Sequence, residues 1–275
     1  MVKVMIRSQL YVPSNNKKMV GKSQSLDTDM IIFDLEDAVP ETEKNGAREF
    51  ILEFIQTNKI NKKIAIRIND MDTGYFYHDI IAINSAEKKP DYLVVPKSEL
   101  GLSHIYRHLG IPLIALIETA EGMNKLDDVI SQEGVEMVSW AAGDLSFSAG
   151  GNIEGYSSNL YLKTKIIISA RAHGIKAMDK VYFDLNNLDG FADECKESRS
   201  LGYEGKQVIH PSQVAIANQI FSPSREEIEW AKKIIKEYRA SSSSGRGAIN
   251  VDGQLVDSVH IRMAESILKN SGEKP

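Results

Sequence analysis

Two carboxylates stand out by where they fall in the chain. Glu118 closes the apolar run Ile114-Ala115-Leu116-Ile117, and Asp144 follows Ala141-Ala142-Gly143 about one strand–helix unit later. An apolar run of this kind reads as a buried strand of a parallel sheet, with its last side chain emerging at the sheet's edge. Two such ends on neighbouring strands would bring Glu118 and Asp144 side by side. Two hard oxygen donors with open positions around them suit Mg²⁺, which takes one or two carboxylates and fills its other sites with water and substrate. Each residue also has a plainer reading: Glu118 as a helix cap, Asp144 as part of a turn.

The elements that must position this pair follow from the pattern. Apolar runs occur at residues 9–13, 30–35, 64–68, 92–95, 113–117, 137–142, 175–178 and 207–209. Between them, helical spacing covers about 43–55, 77–83, 121–130, 160–173, 188–201 and 225–238. Strands alternating with helices make crossover units and a parallel sheet. Eight repeats within 275 residues predict an α/β fold of the closed (β/α)₈ TIM-barrel type. Asp34, Glu36, Arg67, Lys97, Glu118, Asp144, Asp179 and His210 all fall at or just past strand C-termini. That is the face on which such barrels keep their active sites.

Composition narrows the function. A net charge of −5 leaves no basic footprint for nucleic acid. No apolar stretch is long enough for a bilayer, and residues 1–7 lack the apolar core of a signal peptide. Cys195 is the single cysteine, so an internal disulfide is excluded and a plain helical residue is expected. A cytoplasmic enzyme is the expectation.

After Arg239 the character changes. Residues 240–247 (ASSSSGRG) are serine- and glycine-rich and read as a linker. Asp252-Gly253 is a two-residue hairpin signal, and a last helix is expected at about 258–268. The predicted division is a barrel over 1–239 and a C-terminal hairpin–helix extension over 240–275, either a packing appendage or a flap over a substrate pocket.

These residues resemble a family. Arg7-Ser8-Gln9-Leu10-Tyr11-Val12-Pro13, Asp34-Leu35-Glu36-Asp37-Ala38-Val39, Arg67-Ile68-Asn69, Pro96-Lys97, Ile117-Glu118-Thr119, Gly143-Asp144-Leu145, Gly205-Lys206, Ile209-His210-Pro211 and Gly253 with Leu255-Val256-Asp257 are similar, in order, to the citrate lyase β-subunit/malyl-CoA lyase family of HpcH/HpaI aldolase-like enzymes. The resemblance implies a Mg²⁺-dependent barrel that breaks or makes a carbon–carbon bond in 3-hydroxyacyl thioesters. It implies Glu118 and Asp144 as metal ligands and Arg67 as the contact to the thioester oxygen. Tyr11, Asn16 and Lys22 fall where relatives touch coenzyme A; one relative carries a basic residue at the position of Asn16, for which Lys17 and Lys18 could substitute, their plainer reading being solvated loop lysines. Gly143, Asp144, Ile209 and His210 border the substrate, although His210 also reads as an ordinary loop histidine. Asp257 matches an aspartate that enters from the C-terminal flap, often from a neighbouring subunit, which implies a homo-oligomer, a trimer or a multiple of one.

The implied chemistry joins an acetyl thioester of coenzyme A, or of an acyl carrier, to a 2-oxo acid, or parts them. Arg67 is a permanently protonated donor for the enolate oxygen. Asp257 would exchange a proton with the enolate carbon, for which it needs a raised pKa and hence burial. Ion pairing with Glu36 or Asp37 is the plainer reading of Arg67. Lys97 is expected to pair with Asp34, Glu36 or Asp37 rather than act as a nucleophile. Three rivals remain: a thioesterase using the same enolate chemistry, a subunit that works only beside an acyl carrier protein, and a sugar- or phosphate-binding barrel. The last lacks a glycine-rich phosphate loop after strands seven and eight.

Overall fold

A computed structural model describes residues 5–242 and 248–273. Contacts divide the chain into two compact units, one of Ile6–Asn218 and one built mainly from Gln219 onward. The first unit is a closed barrel of eight parallel strands in sequential order. They are β1 (Ser8–Pro13), β2 (Met30–Asp34), β3 (Lys63–Arg67), β4 (Tyr92–Val95), β5 (Leu113–Ile117), β6 (Val135–Trp140), β7 (Lys176–Asp179) and β8 (Gly205–Val208). The barrel closes where β1 pairs with β8, Gln9 opposite Gln207. Gly205 is required at that seam: a Cβ there would lie 2.3 Å from the Ile6 carbonyl oxygen.

Side chains alternate in and out along each strand. Met30, Ile32, Ala65, Val94, Ile114, Leu116, Met137 and Met178 fill the barrel's interior, with Tyr11 and Ala141 packed against them. The same alternation turns Asp34, Arg67 and Glu118 inward at the C-terminal mouth. It turns Asp179 and Lys206 outward, toward the helix Leu188–Leu201. Asp34 and Arg67 are register partners across β2 and β3.

The second unit holds the helix Arg225–Ser242, the strands β9 (Ile249–Val251) and β10 (Gln254–Val256), and the helix Ser258–Ser271. Asp252 and Gly253 both have positive φ, 51° and 84°, as a tight two-residue hairpin requires. Ala231, Ile234, Ile235, Val251, Val256, Ala264 and Leu268 form its core. The helix Arg225–Ser242 thus packs with the hairpin. The division between the units falls in the chain between Asn218 and Gln219, about a helix earlier than the 239/240 boundary expected from composition. The serine-rich linker reading falls on residues 240–247: the helix continues to Ser242, and 243–247 lie outside the described residues, as do 1–4 at the N-terminus.

Candidate active site

A cavity of about 380 Å³ opens at the barrel's C-terminal mouth, lined among others by Tyr11, Arg67, Leu116, Glu118, Ala141 and Asp144. Glu118 directly follows β5 and is 2 % exposed. Its Oε1 accepts a hydrogen bond from the Lys97 N–H at 2.8 Å. Lys97 has φ +43°, a left-handed conformation that is uncommon for a non-glycine residue. That backbone twist aims the amide at Glu118. The Lys97 side chain turns away to Asp70, 2.7 Å distant, and reaches Glu36 at 3.8 Å. Asp70, not a carboxylate of the 34–37 loop, is therefore its main partner.

Asp144 is exposed and lies in the first turn of the helix Ala142–Ser148. Its backbone is helical rather than the end of an extended run, because β6 stops at Trp140. Among the described residues no protein donor reaches its carboxylate. Burial, reinforced by the negative charge of Asp144, pushes the Glu118 carboxyl up to about 7, against the pull of Arg67 and the Lys97 N–H. The pair is short of positive charge, which a divalent cation would supply. Among the described residues no three His, Cys, Asp or Glu side chains form a metal cage. Two carboxylates with room for water and substrate fit Mg²⁺ better than a metal that needs a full protein shell.

Arg67 is gripped from one side. Its Nε and Nη2 donate to the two oxygens of Asp34 at 2.7 and 2.6 Å, and its Nη1 donates to Asp37 at 3.1 Å. Glu36 Oε2 lies 2.9 Å from Nη1, at an angle that makes no hydrogen bond. Burial pushes the Glu36 carboxyl up to about 8 despite Arg67. Burial works against the Arg67 charge, but Asp34 outweighs it and holds the guanidinium well above its ordinary pKa. The Arg67 guanidinium also stands over the Tyr11 ring, 5.1 Å from its centroid. The expected pairs with Glu36 and Asp37 are present, with Asp34 added as the strongest.

A buried lattice fixes the loop that carries these acids. Lys44 donates to the carbonyls of Leu35 and Glu36 and to Asn69 Oδ1. Asp79 accepts from Asn69 and Arg48. Sequence reasoning missed Lys44, whose signal, a lysine on the buried face of a helix, was present.

The remaining expected residues divide. Tyr11 and Ile209 line the cavity. Gly143 precedes Asp144 in the same helical turn. Asn16 caps the helix Lys17–Ser23 by accepting from the Met19 N–H, and Lys22 in that helix is exposed; neither lines the cavity. His210 is exposed, bonds Ser212 at 2.8 Å through Nδ1 and is not among the residues lining the cavity. Asp257 belongs to the second unit, where it caps the helix Ser258–Ser271 in a capping box with His260. Its carboxylate is about half exposed, and the His260 hydrogen bond holds it below the usual range. The raised pKa expected of a proton donor is not found in the isolated chain, because nothing buries the group there. Asp179 leaves the site altogether: it is buried against Lys206, Ser198 and Trp140. Val181, Phe183 and Gln207 line the cavity without having been singled out.

The family model for HpcH/HpaI aldolase/citrate lyase matches residues 7–211. The chain belongs to this family. A second model, for a carbon–carbon bond lyase of the TIM-barrel fold, matches residues 159–272. A (3S)-malyl-CoA thioesterase from Cereibacter sphaeroides is 35% identical over 95% of this chain and 93% of its own length. The mitochondrial citramalyl-CoA lyase of Rattus norvegicus is 31% identical, covering 95% and 85%. Among solved structures, the CitE protein of Mycobacterium tuberculosis in complex with magnesium, acetoacetate and coenzyme A superposes with a TM-score of 0.83. It is 26% identical and covers 98% of this chain and 99% of that one.

Proposed function

We propose that this protein is a Mg²⁺-dependent carbon–carbon lyase that parts a 3-hydroxyacyl thioester into an acetyl thioester and a 2-oxo acid, or joins them. The observation that carries the reading is the mouth of the barrel. It holds two carboxylates short of positive charge beside a guanidinium clamped in place. Glu118 and Asp144 would hold the ion, whose chemistry is to chelate and polarise the hydroxyl and carboxylate oxygens of the substrate.

Each residue's part follows from its surroundings. The hydroxyl proton passes to water at the open mouth, and the carbinol becomes the carbonyl of the 2-oxo acid as the adjacent carbon–carbon bond breaks. The bonding pair passes to the acetyl thioester as an enolate. Arg67 meets the charge on its oxygen. Because Asp34 and Asp37 already fix the guanidinium, it needs no reorganisation as the charge appears. Tyr11 supports the guanidinium face. Asn16 and Lys22, at the start of and within the helix that follows β1, would meet the coenzyme's outer part beyond the cavity. Gly143, Ile209 and His210 border the substrate. Asp257 protonates the enolate carbon once a closed arrangement buries it, which would raise its pKa from the exposed state.

The assembly proposed is a homotrimer or a multiple of one, in the cytoplasm, with Asp257 delivered to a neighbouring copy. Exposed apolar side chains on the helix Leu160–Ala172 (Leu160, Tyr161, Ile168) and around Asp257 (Leu255, Val259, Met263) support burial between copies.

The test is exchange of the acetyl-CoA methyl protons in heavy water. Exchange should require Mg²⁺ and a 2-oxo acid, and Glu118→Ala with Asp144→Ala should lower it by more than about 1,000-fold. Undiminished exchange in that double variant overturns the metal assignment. A second reading, a thioesterase, is favoured by the Cereibacter relative. Hydrolysis would free coenzyme A thiol, whereas cleavage alone leaves an acetyl thioester.

A further inference from the structure

We propose that Gln207 is a positioning residue of the reaction: it ties down Tyr11, and through the Tyr11 ring it sets the tilt of the Arg67 guanidinium toward the enolate oxygen. This deepens the lyase reading and rests on it.

Three buried polar side chains, Gln9 on β1, Ser139 on β6 and Gln207 on β8, stand at inward strand positions beside the apolar residues that fill the barrel. A buried amide destabilises the fold unless it is paired. Gln207 is paired at both of its amide hydrogens: Nε2 donates to Tyr11 Oη at 3.1 Å and to Ser139 Oγ at 2.9 Å. It therefore reaches from β8 to both β1 and β6, and is itself held by the bond to Ser139. Gln9, its register neighbour across the seam, is placed differently. The Gln9 Nε2 donates to the Met137 sulfur at 3.7 Å, a weak acceptor, and its Oε1 has no partner among the described residues. Gln9 does not line the cavity, whereas Gln207 does.

The bond to Tyr11 is one contact away from the chemistry. Asp34 and Asp37 hold Arg67 along its edge, which fixes the guanidinium within its own plane. The tilt of that plane depends on what lies against its face. There stands the Tyr11 ring, its centroid 5.1 Å from the guanidinium carbon. Burial pushes the Tyr11 hydroxyl above its ordinary pKa, so it remains a neutral phenol that accepts from Gln207 and is no acid in the reaction. A donor that must meet charge as it forms loses rate when it is misdirected even slightly.

The experiment measures kcat and KM for Mg²⁺-dependent exchange of the acetyl-CoA methyl protons, with glyoxylate or pyruvate as the 2-oxo acid. Gln207→Met nearly keeps the side chain's volume and removes both donors. It should lower kcat about 10-fold or more while KM for acetyl-CoA moves less than about 3-fold, as expected for an interaction made only in the transition state. Tyr11→Phe removes the same bond from its other end and should lower kcat to a similar degree. The double variant should stay within about 3-fold of the slower single variant, because both changes cut one link. Gln9→Met, the same substitution deeper in the barrel, should leave kcat within about 2-fold of the parent. Nitrogen NMR of the metal-free protein gives a readout independent of turnover: the Arg67 Nε–H proton should exchange with water at least about 3-fold faster in Gln207→Met and at the parent rate in Gln9→Met. An unchanged kcat in Tyr11→Phe or in a folded Gln207→Met, losses that multiply in the double variant, or an equal loss in Gln9→Met overturns the positioning role alone. Absence of exchange in the parent protein overturns the lyase reading, and the role with it.

Discussion

Two acidic clusters sit at strand ends of the same barrel, and their surroundings are opposite. Asp179, at the end of β7, is fully buried. It bonds Lys206 Nζ at 2.6 Å, Ser198 Oγ at 2.6 Å and Trp140 Nε1 at 3.0 Å. Burial alone would raise its pKa, yet Lys206 and Lys180 hold it well below the usual carboxylate range. Glu118, at the end of β5, is equally buried, but its one protein donor is a backbone N–H, its neighbour Asp144 is another acid, and its pKa rises to about 7. The first cluster carries its own counter-charge and closes a seam between barrel and helix. The second lacks one and opens onto the cavity. An acid at a strand end therefore says little by itself; the partner facing it separates structure from chemistry.

Breaking the closed cluster should have the largest effect on stability. Lys206→Met leaves Asp179 buried without its cation, and unfolding free energy should drop by about 3–5 kcal/mol, read from urea denaturation. A drop under about 1 kcal/mol would mean that Lys180 or water replaces the lost charge. Losing one partner at the open mouth should act on rate instead. Arg67→Lys keeps the charge but not the planar fork, and methyl-proton exchange should slow about 100- to 1,000-fold. An unchanged rate would remove Arg67 from the chemistry.

The smallest expected effect is on pH dependence, and it sharpens the same contrast. Glu36 has a folded pKa of about 8 against about 4.3 unfolded. The folded chain therefore binds more protons between those values, and stability must fall as pH rises from about 4.5 to 8. The loss in metal-free protein should be on the order of 1–3 kcal/mol after screening. Glu36→Gln should flatten the slope; a slope equal to that of the parent would contradict the burial argument.

Much of this was legible in the sequence. All eight strands were placed to within about two residues, because each is a short apolar run stopped by polar or proline residues. The Asp252-Gly253 turn followed from its chemistry alone. Helices of the barrel unit, Leu102–Leu109, Pro211–Phe221 and the short Ala142–Ser148 and Ile153–Ser157, went unread. The first lies between Gly101 and Gly110, both with positive φ, and its buried Leu102, Ile105 and Leu109 keep helical spacing, so the signal was present. The parity of each strand was also available: Met178 points inward, so Asp179 must point out. Counting polar strand ends without that alternation placed Asp179 on the wrong face. Other features are tertiary. Nothing local in Pro96-Lys97-Ser98 announces a left-handed lysine; the strain is held by Glu118 and by Ser98, which bonds the Val95 carbonyl and the Leu116 N–H. The pairing of Lys97 with Asp70 depends on how the β3 and β4 loops meet.

The most direct test of the account is divalent-ion binding itself. Mn²⁺ titrated into the protein and followed by electron paramagnetic resonance should reveal one site per chain that Mg²⁺ displaces. Either Glu118→Ala or Asp144→Ala should abolish it, while Lys206→Met, where folded, keeps it. A site of unchanged affinity in the Glu118→Ala, Asp144→Ala double variant would contradict the claim that these two carboxylates hold the metal.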